Sequence, residues 1–214
     1  MDCYCISGLG ADERIFSRLE LPGVRLIPLT WLTPEGNEPI DVYAGRMRAG
    51  ISGERPVLLG VSFGGMMAIE IAKELPGATV IIVSSVRDHR QVPLWIKAGG
   101  RVYPRALFPS IQRRKLRMPS IERYFIGVES AEDAQLVNEF QEKADPQYVA
   151  WAIDTIARWQ NEWTPASFYH IHGRRDRMFP FKNVQPTHVI ADGSHLMVFN
   201  RAAAVSAVLR QLLS

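Results

Sequence analysis

The stretch "PVLLGVSFGGMMAIEIA", residues 56–72, decides the fold. An apolar run typical of a buried strand leads into a G-x-S-x-G pattern at residues 60–64, and a helical pattern follows at once. Glycines flank a serine in this way where a tight, strained turn brings neighbouring chains close together. Such a turn would lift the Ser62 hydroxyl above a sheet and leave the Phe63 N–H at the start of a helix, where an unpaired donor can hold a developing oxyanion. We therefore predict that Ser62 is a nucleophile; the alternative is a serine that only caps the helix.

Composition indicates one folded domain. The chain has 214 residues, of which 47% are apolar and 22% charged, enough to bury a core without disulfides or metals. The net charge of +3 is too small to support a nucleic-acid partner. Cys3 and Cys5 would share one face of a strand, which favours reduced, packed thiols. Without a signal-like start or a long apolar run, we predict a cytoplasmic protein with no membrane partner.

The predicted elements alternate between strands and helices, which indicates a parallel sheet in a three-layer α/β/α architecture. Six strands are predicted: Cys3–Ile6, Val24–Leu29, Pro56–Leu59, Ala78–Val83, "SFYHIHG" and "THVIADG". Residues 86–165 contain only helical patterns. We therefore predict a core of residues 1–85 and 166–214 with a helical lid, residues 86–165, inserted between its strands.

The helices carry more specific predictions. Asp12 can cap a helix that places Ile15, Phe16 and Leu19 on one face. The helix after Ser62 is predicted to group Glu70, Lys73 and Glu74 on a polar face, and the last helix to run from Met197 to Leu213.

A serine nucleophile needs an imidazole base, and His195 is the best placed of the five histidines. It lies in a loop after the last predicted strand, at the edge of the sheet where the Ser62 turn also falls. His170 and His172 point the same way from one strand, but no third ligand with suitable spacing accompanies them, so we predict no metal. His89 and His188 are interpreted as ordinary surface or packed histidines.

Two carboxylates compete for the role of the acid that orients His195. Asp176 follows a predicted strand by a few residues and belongs to the same edge, which makes it the first choice. Asp192 is the rival, although an Asp-Gly pair more often forms a turn. Arginines at 174, 175 and 177 surround Asp176 and would favour its ionised form, or are solvated loop charges.

The order Ser62, Asp176, His195, with a helical insertion between the strands, resembles the α/β-hydrolase fold family. The resemblance implies a small, six-stranded version that lacks the family's leading antiparallel hairpin. It also implies that the loop after the first strand supplies the second oxyanion donor, here the Leu9 N–H. Ser7 stands where the family often has histidine.

The implied reaction is acyl transfer on a small-molecule carboxylic ester or a related acyl compound, with no cofactor. Serine at position 62 of the turn, in place of aspartate, argues against the alkyl-enzyme chemistry of the family's dehalogenases and epoxide hydrolases. The alternative function is a non-catalytic binding or signalling protein on the same fold.

Charge is unevenly distributed along the predicted lid. Its two halves can pair with each other or face water; the sharper hypothesis is that a lid arginine holds an anionic substrate. The first half is basic, with Arg105, Arg113, Arg114, Lys115, Arg117 and Arg123, and the second is acidic, with Glu129, Glu132, Asp133, Glu139, Glu142 and Asp145.

Overall fold

A computed structural model describes residues 1–102 and 119–214, in which six strands form a single sheet. The order is β2-β1-β3-β4-β5-β6, and every neighbouring pair is parallel. The strands are β1 (Asp2–Ile6), β2 (Arg25–Pro28), β3 (Val57–Val61), β4 (Thr79–Val83), β5 (Ser167–Gly173) and β6 (His188–Ile190). The prediction of a small α/β-hydrolase fold built on a parallel sheet is confirmed.

Helices pack around this sheet and make up much of the described sequence between β4 and β5. They are α1 (Ile40–Arg48), α2 (Phe63–Ala72), α3 (Leu94–Val102), α4 (Pro119–Ile126), α5 (Ala131–Lys143), α6 (Pro146–Arg158), α7 (Met197–Asn200) and α8 (Ala202–Leu212). Short 3-10 turns lie at Glu13–Phe16, His89–Gln91 and Phe181–Asn183. Between residues 86 and 165, the described part of the chain contributes helices and no strand.

Side chains of alternate strand residues pack into two separate hydrophobic cores, one on each face of the sheet. On β4, Val80 and Ile82 pack into the core that contains α2, whereas Ile81 and Val83 pack into the core that contains α7 and α8. Side chains alternate between the faces of a strand, so unbroken β-branched runs suit a sheet that is covered on both sides. Cys3 and Cys5 are buried free thiols in the second core, on one face as predicted.

Two helices differ from their predictions. Asp12 caps only a 3-10 turn, in which the Ser17 N–H donates to the Arg14 oxygen three residues back at 3.1 Å. The Glu20 N–H donates to Ser206 Oγ at 2.9 Å and does not continue a helical ladder. The C-terminal helix is divided into α7 and α8 at Arg201, whose φ is −127° and ψ 33°. The Arg201 guanidinium there pairs with Asp192 and Glu129.

Glu70 shares a face of α2 with Lys73, as predicted, but its side chain lies in the interior. It is 4% exposed, and its carboxylate accepts hydrogen bonds from Trp159 Nε1 at 2.7 Å and Lys73 Nζ at 2.8 Å. A buried carboxylate needs such partners to offset its lost hydration. Through its hydrogen bond with Trp159, Glu70 links the segment after α6 to α2.

Three acidic residues from the second half of residues 86–165 form ion pairs with the core. Glu132 and Glu139 form ion pairs with Arg18 and Arg14, in addition to the pair between Glu129 and Arg201. Of the basic residues named for the first half, those from 105 to 117 lie outside the described residues. Within residues 1–102 and 119–214, no helix has the length and apolar character to cross a membrane.

Candidate active site

The turn between β3 and α2 holds Ser62 in a strained conformation. Its φ of 54° and ψ of −120° are unusual for a residue with a side chain, and such strain is often found at functional sites. The glycines around it are required by close backbone contacts. A Cβ on Gly60 would lie 2.2 Å from the Gly64 oxygen, and one on Gly64 would lie 2.2 Å from the Ile6 oxygen.

Hydrogen bonds from β4 and the loop that follows it fix this turn. The Ser62 N–H donates to the Val83 oxygen at 3.0 Å, and Ser85 Oγ donates to the Ser62 oxygen at 2.6 Å. The half-buried Ser62 side chain is thus presented at the carboxyl edge of the sheet from a backbone held on both sides.

The structure brings the three predicted side chains Ser62, His195 and Asp176 together. His195 Nε2 lies 2.9 Å from Ser62 Oγ, and His195 Nδ1 lies 2.9 Å from Asp176 Oδ2. The Asp176 side chain is fully buried, whereas that of His195 is 11% exposed. With the carboxylate accepting from Nδ1–H, the Nε2 lone pair of a neutral His195 faces the serine hydroxyl.

The loops that follow β5 and β6 are bonded to each other, which explains how the acid meets the imidazole. The N–H groups of Arg174 and Arg175 donate to the oxygens of Ile190 and Gly193 at 3.0 and 2.9 Å. Asp176 in turn accepts a hydrogen bond from the Phe179 N–H on Oδ1 at 2.9 Å. Oδ2 is left to face His195.

The rival carboxylate, Asp192, lies at the surface and does not meet His195 in this arrangement. Its side chain is 54% exposed and pairs with Arg201, and this hydrogen bond lowers the pKa of Asp192. The arginines beside Asp176 also have other contacts. Arg177 donates to the Tyr124 oxygen at 3.1 Å, and Arg174 lies over the Phe181 ring.

The loop after β1, in which the second oxyanion donor is predicted, lies against Ser62. A Cβ on Gly8 would lie 3.4 Å from Ser62 Cβ. Ser7 replaces the frequent histidine of the family and closes this loop, because its hydroxyl donates to the Ala11 oxygen at 2.7 Å. Leu9, the predicted donor, lies inside the closed loop and is half-buried.

Trp31 connects this loop to the start of α2. Its Nε1–H donates to Ser7 Oγ at 2.9 Å, while its ring stacks on Phe63 with a centroid separation of 5.2 Å and an interplanar angle of 11°. One side chain thus contacts both segments that carry the predicted oxyanion donors, Leu9 and Phe63.

The loop that carries His195 rests on the segment after α4. Ser194 Oγ donates to the Gly127 oxygen at 3.2 Å, and the Leu196 N–H donates to the Ile126 oxygen at 3.0 Å. Gly127 has a φ of 80°, and a Cβ there would lie 2.3 Å from Ser194 Cβ. The helical insertion and the His195 loop are therefore in direct contact.

A cavity of about 250 Å³ opens beside the loop after β1. Its lining includes Ser7, Gly10, Trp31, Thr33, Lys143 and Tyr148, but neither Ser62 nor His195. The cavity thus lies beside the Ser62 turn and is not the space directly above Ser62.

The remaining histidines have partners of their own. His170 and His172 are buried and bonded to each other, with 3.1 Å between His170 Nε2 and His172 Nδ1. His89 Nδ1 lies 3.2 Å from the Asn161 oxygen, and His188 Nδ1 lies 2.9 Å from Thr187 Oγ1. Across the described ranges, no group of three or more His, Cys, Asp or Glu side chains could hold a metal ion.

Sequence reasoning missed Ser85, Trp31 and Gly127 as parts of this site. A signal existed for the first two, because both come shortly after predicted parallel strands and so fall at the edge that carries Ser62. No local pattern marked Gly127, since its role depends on a contact with Ser194, 67 residues away.

Comparisons with known proteins agree with this architecture. A model of the alpha/beta hydrolase family matches residues 3–208, and the chain belongs to that family. A search of curated proteins finds no significant match.

Several solved structures are similar in fold. An esterase from Thermogutta terrifontis, solved with malate bound, is 16% identical with a TM-score of 0.71, over 100% of this chain and 89% of the esterase. An epoxide hydrolase from Bacillus megaterium is 14% identical with a TM-score of 0.71, over 99% and 93%. A lipase-esterase related protein from Clostridium acetobutylicum is 16% identical with a TM-score of 0.68, over 99% and 93%.

Proposed function

We propose that the protein is a serine hydrolase that cleaves a carboxylic ester or a related acyl compound of small size. The observation that carries the proposal is the hydrogen-bonded series from Ser62 Oγ through His195 to Asp176, with both contacts at 2.9 Å. A hydroxyl is a weak nucleophile at neutral pH, and an imidazole oriented by a carboxylate is the group that activates it.

In the proposed reaction, Ser62 Oγ attacks the acyl carbon while His195 Nε2 takes the hydroxyl proton. The Asp176 carboxylate holds the Nδ1–H and stabilises the imidazolium that forms. The N–H groups of Phe63 and Leu9 receive the negative charge that develops on the carbonyl oxygen. His195 then gives the proton to the leaving alcohol. Water attacks the acyl carbon next, while His195 Nε2 takes a proton from the water. The proton passes to Ser62 Oγ as the acyl group leaves as the acid.

Two features favour an ester over the epoxides and halogenated substrates of other family members. The turn between β3 and α2 carries serine, whereas the resemblance implies aspartate there for epoxide hydrolases. Serine is the nucleophile expected for a reaction through an acyl-enzyme. Esterases and lipase-related proteins are also among the similar folds. We further propose that residues 86–165 act as the lid over this site. A cytoplasmic location and the lack of a nucleic-acid partner stay predictions from composition.

The test is hydrolysis of p-nitrophenyl acetate, butyrate and octanoate by wild-type protein, Ser62→Ala and His195→Ala. Activity should fall by at least about 10³-fold in both variants, as expected when a member of a serine triad is removed. Ser17→Ala and His188→Ala remove a serine and a histidine outside the site and should retain wild-type rates.

Labelling by a fluorophosphonate gives the second readout, because such a probe reacts with an activated serine. Ser62 should be labelled in wild-type protein and in Ser17→Ala, with no label in Ser62→Ala. Folded wild-type protein that neither hydrolyses these esters nor takes the label would contradict the proposal and favour the non-catalytic binding protein.

A further inference from the structure

A pair of histidines lies next to Asp176, on the face of the sheet that contains α2. His172 is the neighbour of the Asp176 carboxylate, and His170 is the neighbour of His172. His170 and His172 point to the same face of β5 and are 1% and 0% exposed. Burial lowers the pKa of His170 to about 3, helped by the neighbouring His172, and burial likewise lowers the pKa of His172. Both rings are therefore neutral near pH 7, and each carries one N–H.

The neighbours of His172 decide which nitrogen carries its proton. Nε2 lies 2.8 Å from the Phe179 oxygen, which can only accept a hydrogen bond, so the proton is on Nε2. Nδ1 is then bare and lies 3.1 Å from His170 Nε2, and His170 also has a backbone hydrogen bond to Ser85. The Phe179 oxygen thus fixes the tautomer of His172.

The same Nε2 of His172 faces the proposed acid. It lies 3.6 Å from Asp176 Oδ2, the oxygen that accepts from His195 at 2.9 Å. Phe179 is held at both ends of the residue, because its N–H donates to Asp176 Oδ1 at 2.9 Å while its oxygen accepts from His172. The carboxylate and the loop that orients it therefore share His172 as a neighbour.

We propose that His172 is a positioning residue for the Asp176 carboxylate: its Nε2–H anchors Phe179 and faces Oδ2, which keeps that oxygen directed at His195. The proposal rests on the serine-hydrolase function proposed above. The charged and titratable groups around the pair are Asp176 and His195 beside His172, and Arg87 near His170.

Two amide variants separate this role from simple packing. In His172→Gln the side-chain amide can still reach the Phe179 oxygen, whereas in His172→Asn it is too short to do so. A displacement of a catalytic group by about 1 Å can cost about 10²-fold in rate. We expect His172→Asn to lower kcat at least about tenfold with KM within about twofold, while His172→Gln stays within about threefold of wild type. His188→Asn is the surface control.

Two further readouts report on the His195–Asp176 contact itself. The acid limb of the pH profile of kcat/KM should shift in His172→Asn and return in His172→Gln. The low-field proton NMR signal of His195 Nδ1–H should move or broaden in the Asn variant alone. This signal requires no turnover, so it tests the positioning role even if the protein proves to have no esterase activity.

Equal behaviour of the two amide variants, in rate, pH profile and NMR signal, would overturn the proposal. Thermal unfolding of each variant is measured alongside. If His172→Asn does not fold, His172→Gln decides the matter: a wild-type signal and pH profile support the role, and their loss in a folded protein overturns it.

Discussion

At the scale of single residues, the surroundings of Asp176 and Asp192 decide between two acids that are close in sequence. Asp176 is buried, accepts from Phe179 on one oxygen and contacts His195 with the other. Asp192 is exposed and faces Arg201. A carboxylate orients an imidazole only if it lies against Nδ1, which favours Asp176.

Replacing each acid by its amide tests this choice. Asp176→Asn keeps the shape but favours the wrong tautomer of His195, and we expect kcat to fall by about 10²- to 10⁴-fold near pH 7. Asp192→Asn breaks only an exposed ion pair and should leave kcat within about twofold. Ester hydrolysis by the two purified variants is the measurement; a larger loss in Asp192→Asn would reverse the assignment.

For single residues, the sequence predicts a location in the fold where the residue closely follows a predicted strand. Ser62, Asp176 and His195 each follow a predicted strand, so their common edge of the sheet could be predicted. The positioning role proposed for His172 could not be predicted, because the H-x-H spacing indicates only that the two rings share one face of a strand. The contact of His172 with the Phe179 oxygen depends on the course of the loop after β5.

At the scale of elements, Gly127 joins the end of α4 to the loop that carries His195. Its oxygen accepts hydrogen bonds from Ser194 Oγ and Asn200 Nδ2 at 3.2 and 3.1 Å. A displacement of this segment would therefore be transmitted to His195 through Ser194.

Gly127→Ala tests this connection, with Gly23→Ala as the control. Both glycines have a positive φ, 80° and 79°, so both variants carry backbone strain of about 1–2 kcal/mol. A Cβ at Gly23 meets no atom within 4 Å, whereas one at Gly127 meets Ser194. We expect both variants to lose thermal stability but only Gly127→Ala to lose kcat, by about tenfold or more.

Equal kcat in the two glycine variants, measured on the same ester, would show that the contact at Gly127 does not influence His195.

The elements themselves were predictable to different degrees. The six strands could be predicted because apolar, β-branched runs between glycines and prolines are a local signal. The break at Arg201 was not predictable in this way, because the Arg201 guanidinium pairs there with Asp192 and with Glu129, the latter 72 residues away. The interior position of Glu70 depends likewise on Trp159, a partner that helical spacing does not reveal.

At the scale of the whole molecule, the buried histidine pair couples stability to pH. The pKa of His170 is lowered from 6.5 to about 3 by burial, so between these values the unfolded chain binds a proton that the folded protein excludes. Stability is then fully present above about pH 6.5 and decreases as the pH falls, by up to about 1.4 kcal/mol per pH unit for each such proton. His172 adds to the effect in the same direction.

Urea unfolding of wild-type protein and His170→Gln at a series of pH values measures this coupling. The glutamine amide can still donate to His172 Nδ1 but does not titrate, so we expect the variant to lose stability less steeply between about pH 6.5 and about pH 4. Parallel stability curves for the two proteins would contradict a buried, neutral His170.

The distribution of the site along the chain has a consequence for synthesis on the ribosome. Ser62 and the central strands β1, β3 and β4 lie within the first 83 residues, whereas Asp176 and His195 follow β5 and β6. A nascent chain thus carries Ser62, the proposed nucleophile, long before His195, the proposed base, has emerged. The proposed hydrolase is therefore inactive until the segment after β6, which carries His195, has emerged and reached the sheet.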